Sequence, residues 1–306
     1  MSLPTEILNI SSLLSKDLLR QVVSMFYVPF NEVGTSTRSP NIIVDLGVYL
    51  LFTFVSLCFI LFLRRCILNP LATYLVTDQR DVGRFGDSAT EFVLYFLFSL
   101  LGLSCVVREQ WLWPSTEWWP IEQATMSNSL RCWYLLDAAR YTASLISLIY
   151  FEHKRKDFIQ MFVHHVVTVV ITVLSYHTDF NRVGAIVKLV MDPADVPLHA
   201  AKLFKYSSQE FLADRCFELF AISFFITRLV MYAYVVHAST FESIVHRKDL
   251  AGPGYVCISG LWILYGLQVW WFSLILKMAY KIFIKGEELE DIRSDDDENG
   301  QVKKKQ

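Results

Sequence analysis

The chain has 306 residues, of which 54% are hydrophobic and 15% aromatic, and its mean hydropathy is +0.37. A soluble domain of this length is normally less apolar and has shorter apolar runs, so the composition excludes an ordinary soluble protein. The formal net charge of −2 gives little information, because the charged residues lie almost wholly between the apolar blocks, and no nucleic-acid partner is expected. Each block has about 20 residues, the length that an α-helix needs to cross a bilayer. The sequence therefore predicts an all-α polytopic membrane protein.

The apolar blocks predict seven transmembrane helices. They lie at 42–63, 90–107, 132–151, 158–177, 183–204, 211–237 and 255–284. Lysine and arginine are more frequent after the odd-numbered spans than after the even-numbered ones, and this bias places the carboxyl terminus in the cytosol. Because the number of spans is odd, the amino terminus is then lumenal, and residues 64–89 form a cytosolic linker.

Residues 1–41 are predicted to be a lumenal segment. They are mixed and polar, carry an amphipathic stretch at 5–28 that suits the membrane interface, and do not fit a cleavable signal peptide. Asn9 begins the sequon Asn9-Ile10-Ser11. The predicted orientation makes Asn9 a candidate glycosylation site.

Residues 286–306 are predicted to be an acidic, disordered cytosolic tail. Ser294 precedes an acidic run at 295–298 and is a candidate for an acidophilic kinase; the alternative is a merely solvated tail. The lysines at 303–305 have the spacing of a dilysine retrieval signal for the endoplasmic reticulum.

Two histidines and two aspartates stand inside stretches that are otherwise apolar enough for lipid. His164 and His165 lie in the fourth predicted span, and Asp192 and Asp195 lie in the fifth. Ionisable residues at that depth are costly and are read by default as a functional site. The short connection near 177–182 makes the two helices antiparallel neighbours, so contact between histidine and aspartate is geometrically available.

The chemistry of this set suits proton transfer or nucleophilic attack. A neutral imidazole is a general base or a nucleophile, and a carboxylate on its second nitrogen fixes the tautomer and stabilises the imidazolium. A metal site is an alternative because His and Asp are metal ligands, but the histidine boxes of di-iron membrane enzymes do not recur here, so no metal is expected. A purely structural role is the remaining alternative.

Other polar residues of the spans are candidates for the wall of a cavity. Asp137 and Arg140 are spaced i, i+3 and would neutralise each other, and Arg228 is another buried cation. The alternative for these three is structural pairing alone. Tyr176 and His199 lie on the two central helices and are further candidates.

Four tryptophans crowd the connection between the second and third spans. Trp111, Trp113, Trp118 and Trp119 are predicted to form an aromatic belt at the level of the lipid headgroups rather than a ligand cage.

The stretch 151–206 resembles the Lag1 motif of ceramide synthases, within the TLC domain. The matching residues are Phe151-Glu152-His153-Lys154-Arg155-Lys156-Asp157-Phe158, Met161, His164-His165, Thr168, Ser175-Tyr176, Arg182-x-Gly184, Asp192-x-x-Asp195, Leu198, Lys202 and Tyr206. The resemblance extends to the layout of the spans and places the TLC domain at 90–285.

The resemblance implies an acyl-CoA-dependent N-acyltransferase that converts a sphingoid base to ceramide in the endoplasmic reticulum membrane. It implies that His164 and His165 are the catalytic pair, that Asp192 and Asp195 are essential, and that spans two to seven form a six-helix barrel around an acyl tunnel. Acyl-CoA, a sphingoid base and membrane lipid are the expected partners, with a second copy or an accessory subunit as a further candidate. No cofactor is expected.

Basic residues at the cytosolic face are candidate ligands of the CoA phosphates, and the alternative is an ordinary positive-inside anchor. They are Lys154, Arg155, Lys156, Lys202 and Lys205.

The sequence also departs from the family pattern. Met191 replaces a usual histidine, His199 replaces a usual glutamate, and 64–89 is too short for the homeobox-like domain of many animal members. In the family the last lumenal loop influences acyl length, and this loop corresponds to 238–253.

Two mechanisms remain open from the sequence. His164 attacks the thioester to form an acyl-imidazole, or it deprotonates the attacking amine. A non-enzymatic TLC protein that binds or moves lipid is one alternative function, and another fatty-acyl transferase or an elongase-like enzyme is a second.

Overall fold

A computed structural model gives the fold and describes residues 42–76, 78–79, 81–119, 126–151, 157–178, 180–247 and 252–285. Several predictions fall outside these residues: the sequon at Asn9, the cations Lys154, Arg155 and Lys156, the phosphorylation candidate Ser294, and the tail with its final lysines. They stay predictions.

The described residues form helices joined by short connections. The α-helices are α1 (Ile42–Phe62), α2 (Asn69–Leu75), α3 (Val82–Val106), α4 (Asn128–Tyr150), α5 (Phe158–His177), α6 (Asn181–Met191), α7 (Asp195–Tyr206), α8 (Glu210–Phe224), α9 (Tyr232–His246) and α10 (Gly252–Lys285). Short 3₁₀ turns lie at Ser115–Trp118 and Asp192–Ala194, and π-helical segments lie at Leu63–Leu68 and Phe225–Met231. The π segments join α1 to α2 and α8 to α9 without a break, so each of these pairs is one long helix.

Five described helices are long and apolar enough to cross a membrane. They cover Asp45–Leu75, Val82–Val106, Phe158–His177, Glu210–His246 and Gly252–Ile282, which correspond to the first, second, fourth, sixth and seventh predicted spans. Large apolar side chains on their outer faces are exposed, as a lipid-facing surface requires. The chain is therefore a multi-pass membrane protein.

The third and fifth predicted spans are helical but do not meet the same criterion. Helix α4 carries Arg131, Asp137 and Arg140, all buried. The fifth span is divided into α6 and α7 by the 3₁₀ turn at Pro193, whose ring removes a backbone donor from the helix. The count of seven spans stays a prediction.

The first two spans are longer than the sequence indicated. The first helix continues to Leu75 and the next begins at Val82, so most of the predicted linker is helical. Arg64 does not end the first span because it is buried: its Nε lies 3.1 Å from Asp87 Oδ1, and its Nη2 lies 3.3 Å from Ser147 Oγ.

The helices around the central stretch contact one another in a closed order. Helix α3 contacts α4, α4 contacts α5, α5 contacts α10, and α10 contacts α9; α9 contacts α6, α8 contacts α7, and both α6 and α7 contact α3. Helix α1 packs along α4. The largest buried cluster joins several of these helices to α1 and includes Tyr134, Val183, Tyr232 and Leu264.

The predicted tryptophan belt is wrong for three of its four members. Trp111, Trp118 and Trp119 are buried, while Trp113 is 69% exposed. The buried rings are held by hydrogen bonds, such as that from Trp119 Nε1 to Glu242 Oε2 at 3.3 Å. Trp111 and Trp118 bond Glu109 and the Leu112 carbonyl in the same connection, whereas Glu242 lies 123 positions from Trp119, where sequence proximity gave no sign of it.

Candidate functional site

Helix α5 presents the two histidines at the middle of the helix cluster. His165 is buried and His164 is half-buried. Successive residues on a helix point about 100° apart, and the two imidazole rings accordingly meet edge to face with centroids 5.6 Å apart. Trp271 of α10 covers His164 at a centroid distance of 5.4 Å. His164 and His165 therefore point in different directions from the helix.

Tyr141 of α4 connects the histidines to the first aspartate. Its ring lies 6.5 Å from that of His164 and 6.0 Å from that of His165. Its hydroxyl donates a 2.8 Å hydrogen bond to Asp192 Oδ1. The structure thus brings the predicted histidines and Asp192 around one tyrosine that the sequence analysis did not single out.

Asp192 belongs to a buried network of two acids and two cations. Arg140 Nη2 lies 2.8 Å from Asp192 Oδ2 and 2.8 Å from Asp137 Oδ1. The other Asp137 oxygen accepts a hydrogen bond from Lys188 Nζ. The predicted pairing of Asp137 with Arg140 is confirmed, and the network neutralises its own formal charge, which a buried site requires.

Asp195 has a separate arginine. Arg228 Nη2 donates to Asp195 Oδ2 at 2.5 Å and to the carbonyl of Met191 at 2.8 Å. Gln268 of α10 accepts a 3.2 Å hydrogen bond from Arg228 Nη1. The backbone carbonyl of Met191 is therefore a ligand of Arg228. Through its three bonds, Arg228 connects Met191 of α6, Asp195 of α7 and Gln268 of α10.

The direct histidine–aspartate contact expected from the sequence is absent at the Nδ1 atoms. Neither His164 Nδ1 nor His165 Nδ1 has a hydrogen-bond partner among the described residues, although both atoms are buried. The aspartates bind Arg140, Tyr141 and Arg228 instead. Each aspartate is bound by one guanidinium nitrogen, Asp192 by Arg140 and Asp195 by Arg228, and such charge-assisted bonds are stronger than a bond to a neutral imidazole.

A cavity opens beside His164 and runs along α5. His164, Thr168, Thr172 and Ser175 line it on that helix, over about 16 Å at 1.5 Å per residue. The opposite wall is mostly apolar and aromatic; it includes Tyr134, Phe180, Val183, Val187, Met191, Leu261 and Leu264. Lys188 and Tyr141 bring the charged network to the same wall. A chain-like apolar ligand with one reactive polar end would suit this shape.

Two candidates for the cavity wall lie elsewhere in the structure. The Tyr176 hydroxyl donates to Asp45 Oδ2 at 2.8 Å and accepts from Arg131 Nε at 3.1 Å, so it fastens α1 to α4 and α5. His199 is buried and stacks on Tyr95 with centroids 5.6 Å apart. The cavity beside His164 is lined by neither of them.

The remaining predicted site residues are only partly placed. Lys202 is buried and Lys205 is half-buried, so these two candidate phosphate ligands are not side chains extended into solvent. Of the predicted acyl-length loop, 238–246 belongs to helix α9, and residues 248–251 lie outside the described part of the chain.

Lys188, Tyr141 and Gln268 were missed by the sequence analysis. A charged residue in an apolar stretch is a signal that was available for Lys188, and the same rule had identified Asp137. Tyrosine and glutamine carry no such signal, because both occur in membrane helices without a functional role.

Within the part of the chain that the structure describes, no group of three or more His, Cys, Asp or Glu residues is arranged to hold a metal ion.

The helices and the polar site define a multi-pass membrane protein with ionisable groups held inside its helix cluster. The TLC domain family matches residues 84–277 of this chain. Ceramide synthase 4 of Mus musculus is 38% identical over 217 residues, which is 70% of this chain and 55% of the relative. Two Arabidopsis thaliana relatives are covered more fully. Ceramide synthase 1 LOH3 is 32% identical over 262 residues, which is 76% of this chain and 84% of the relative. Ceramide synthase LOH1 is 33% identical over 240 residues, which is 72% of this chain and 77% of the relative.

These matches show that the chain belongs to the TLC-domain family and, within it, to the ceramide synthase family. The chain spans about half the length of the mammalian relatives it matches.

Proposed function

We propose that this protein is a ceramide synthase that transfers a fatty acyl group from acyl-CoA to the amine of a sphingoid base. One observation carries the proposal: in a chain of this family, His164 lies on the wall of a long, mostly apolar cavity beside a buried charge network. The cavity suits an acyl chain, and the imidazole lies where the chain's carboxyl-derived end would be.

In the covalent route, an imidazole nitrogen of His164 forms a bond to the thioester carbon, and the C–S bond breaks. The CoA thiolate leaves and takes up the proton released from the imidazolium. The sphingoid amine then bonds to the acyl carbon, and the bond between that carbon and the imidazole nitrogen breaks. The proton lost by the amine passes to this nitrogen, which restores the neutral imidazole and releases the amide. No cofactor takes part in this balance, and acyl-CoA is a substrate.

In the second route, His164 removes a proton from the amine while the amine nitrogen bonds to the thioester carbon. The C–S bond then breaks, and the CoA thiolate leaves and takes up the proton from the imidazolium. Both routes need a neutral amine and a neutral imidazole. The site is then held in place by His165 and by two ion pairs, Asp192–Arg140 and Asp195–Arg228. Tyr141 bonds Asp192 and contacts both histidine rings, so it fixes their positions relative to each other.

The closed order of helices supports a six-helix barrel with the cavity as its tunnel, and we propose that spans two to seven form it. The CoA phosphates would then be attracted to basic residues at the cytosolic mouth, namely Lys154, Arg155, Lys156, Lys202 and Lys205. The charge reversal Lys205→Glu is expected to raise the KM for acyl-CoA; an unchanged KM would favour a simple anchoring role.

The proposal also includes location in the endoplasmic reticulum with a lumenal amino terminus, and association with a second copy or an accessory subunit.

The test is an assay of purified full-length protein with acyl-CoA and sphinganine. Wild-type protein is expected to form N-acyl product, His164→Ala is expected to form none, and His237→Ala, which changes an exposed histidine of α9, is expected to remain active. A wild type without N-acyl product contradicts the proposal and favours a lipid-binding TLC protein or a different acyl transfer. Intact-protein mass spectrometry separates the routes, because only the covalent route leaves an acyl adduct on histidine.

A further inference from the structure

Thr168 has an unused hydroxyl one helical turn beyond His164. Thr168 is 9% exposed, and its Oγ1 is buried without a hydrogen-bond partner among the described residues. The residue lines the same cavity as His164. A buried hydroxyl without a partner is unfavourable, so its retention calls for an explanation.

Other threonines in this protein show what a helical hydroxyl normally does. Thr53, Thr90, Thr142, Thr227 and Thr240 each donate to the carbonyl four residues back, at 2.7 to 3.1 Å. That bond is the common local solution for threonine in a helix. Thr168 does not make it, and its equivalent acceptor would be the carbonyl of His164.

The other strong donors of the cavity wall near His164 already have partners. Tyr141 donates to Asp192, Lys188 donates to Asp137, and the hydroxyls of Tyr134 and Ser175 share a hydrogen bond. The hydroxyl of Thr168 is therefore the donor closest in sequence to His164 that remains available to a molecule in the cavity.

The direction of the side chain fits an acceptor beside the imidazole. Residues at i and i+4 lie on one helix face, and helical side chains lean toward the amino terminus, so Thr168 leans toward His164. The carbon that reacts in either proposed route lies next to the His164 imidazole, and its oxygen lies within one bond of that carbon.

We propose that Thr168 is a further catalytic residue, whose hydroxyl donates a hydrogen bond to the acyl carbonyl oxygen. This inference rests on the proposed acyl transfer. When a nucleophile bonds to the thioester carbon, the carbonyl π pair moves onto this oxygen, and when the C–S bond breaks the pair returns. A donor in a dry site stabilises that oxygen most when its charge is greatest, which lowers the barrier rather than merely binding the substrate.

The test compares variants of the full-length protein. Thr168→Val keeps the shape and removes the donor, and it is expected to lower kcat about 10²-fold, as loss of one such donor does elsewhere, with little change in KM for acyl-CoA. Thr168→Ser keeps the hydroxyl and is expected to retain most of the activity. Thr90→Val is the matched control, because Thr90 is a buried helical threonine of α3 that does not line the cavity, and its kcat is expected to stay close to that of wild type.

Three outcomes overturn the inference. Thr168→Val with wild-type kcat shows that the hydroxyl is not used, and equal losses in Thr168→Ser and Thr168→Val show a packing effect. A wild type without N-acyl product removes the proposed function and this inference together, whereas an active wild type with an equally active Thr168→Val removes only the inference. If Thr168→Val does not fold, Thr168→Ala removes the same hydroxyl with less bulk and carries the same expectation.

Discussion

The hydroxyl of Tyr141 donates a 2.8 Å hydrogen bond to Asp192, and the same ring lies against both His164 and His165. One residue thus links the aspartate of the 3₁₀ turn to the histidines of α5. The position of Asp192 and that of the imidazoles are consequently not independent.

Tyr141→Phe tests this link. The ring remains, but Asp192 loses a charge-assisted hydrogen bond, which typically contributes about 1.5–3 kcal/mol to stability. We expect a lower free energy of unfolding in detergent and a reduced kcat. Tyr74→Phe removes the hydroxyl of a tyrosine that is 87% exposed and serves as the control. Equal stability and activity of the two variants would show that the Tyr141 hydroxyl does not position Asp192.

Arg228→Met tests the second aspartate. The substitution leaves Asp195 without the arginine that binds it at 2.5 Å, and breaking a buried pair from one side commonly costs about 3–5 kcal/mol. The double variant Arg228→Met/Asp195→Asn removes the charge as well, so we expect much of the stability to return while acyl transfer stays low. A double variant as unstable as Arg228→Met would show that the loss comes from the bonds to Met191 and Gln268 instead. Chemical unfolding and the acyl-transfer assay supply the two readouts.

Asp45→Asn tests whether the first helix belongs to the folded unit. Asp45 is 2% exposed and binds both Arg131 and Tyr176, although it lies outside the matched TLC region. We expect the free energy of unfolding to fall by roughly 3 kcal/mol or more, because Arg131 is left with a buried charge and no carboxylate at residue 45 to balance it.

Asp81→Asn is the control for Asp45→Asn. Its partner Arg84, at 3.2 Å, is partly exposed, and such pairs contribute about 0–1 kcal/mol. If thermal unfolding shows the same small change in both variants, the first helix is an anchor rather than part of the fold.

Gly184→Ala tests the close approach of α6 to α4. A Cβ at residue 184 would overlap the hydroxyl of Tyr134 and lie 3.2 Å from Ser175 Oγ. Overpacking of this kind costs about 1–3 kcal/mol, and the displaced Tyr134 would narrow the cavity. We therefore expect lower stability and a shift in acyl-chain preference toward shorter donors, measured by competition among acyl-CoA species.

Gly266→Ala is the matched control for Gly184→Ala. A Cβ at this α10 position meets nothing within 4 Å, so we expect unchanged chain preference and up to about 1 kcal/mol of added stability from the better helix former. Unchanged chain preference in Gly184→Ala would show that the acyl chain does not pass residue 184.

The sequence predicted helices and local ion pairs correctly where a single physical rule determines the structure. Blocks of apolar residues predicted helices at 158–177 and 255–284, and the structure has them at Phe158–His177 and Gly252–Lys285, because lipid leaves few alternatives to an α-helix. The i, i+3 spacing predicted the Asp137–Arg140 pair, which the structure contains. The location of His164 and His165 on a helix followed from the apolar block at 158–177 that contains them.

The sequence failed where partners come from distant segments. No local pattern indicates that Asp192 binds Arg140 across 52 positions rather than a histidine on the neighbouring helix. The buried state of Trp119 depends on Glu242, 123 positions away. The predicted first span ends at 63, because a charge next to an apolar block usually lies outside the membrane, but Arg64 is buried against Asp87 and Ser147 and the helix continues.

The π-helical segment Phe225–Met231 has a consequence for how this helix tolerates change. On one side of it, Phe217, Phe220 and Phe224 pack in one buried cluster; on the other, Tyr232 and Val235 pack in another. A π turn holds one residue more than an α turn, so the same seven residues wound as a regular α-helix would rotate one half by about 100° against the other. Both faces could not then stay buried. The π-helical winding of Phe225–Met231 is therefore what lets the two halves of one continuous helix bury their separate faces.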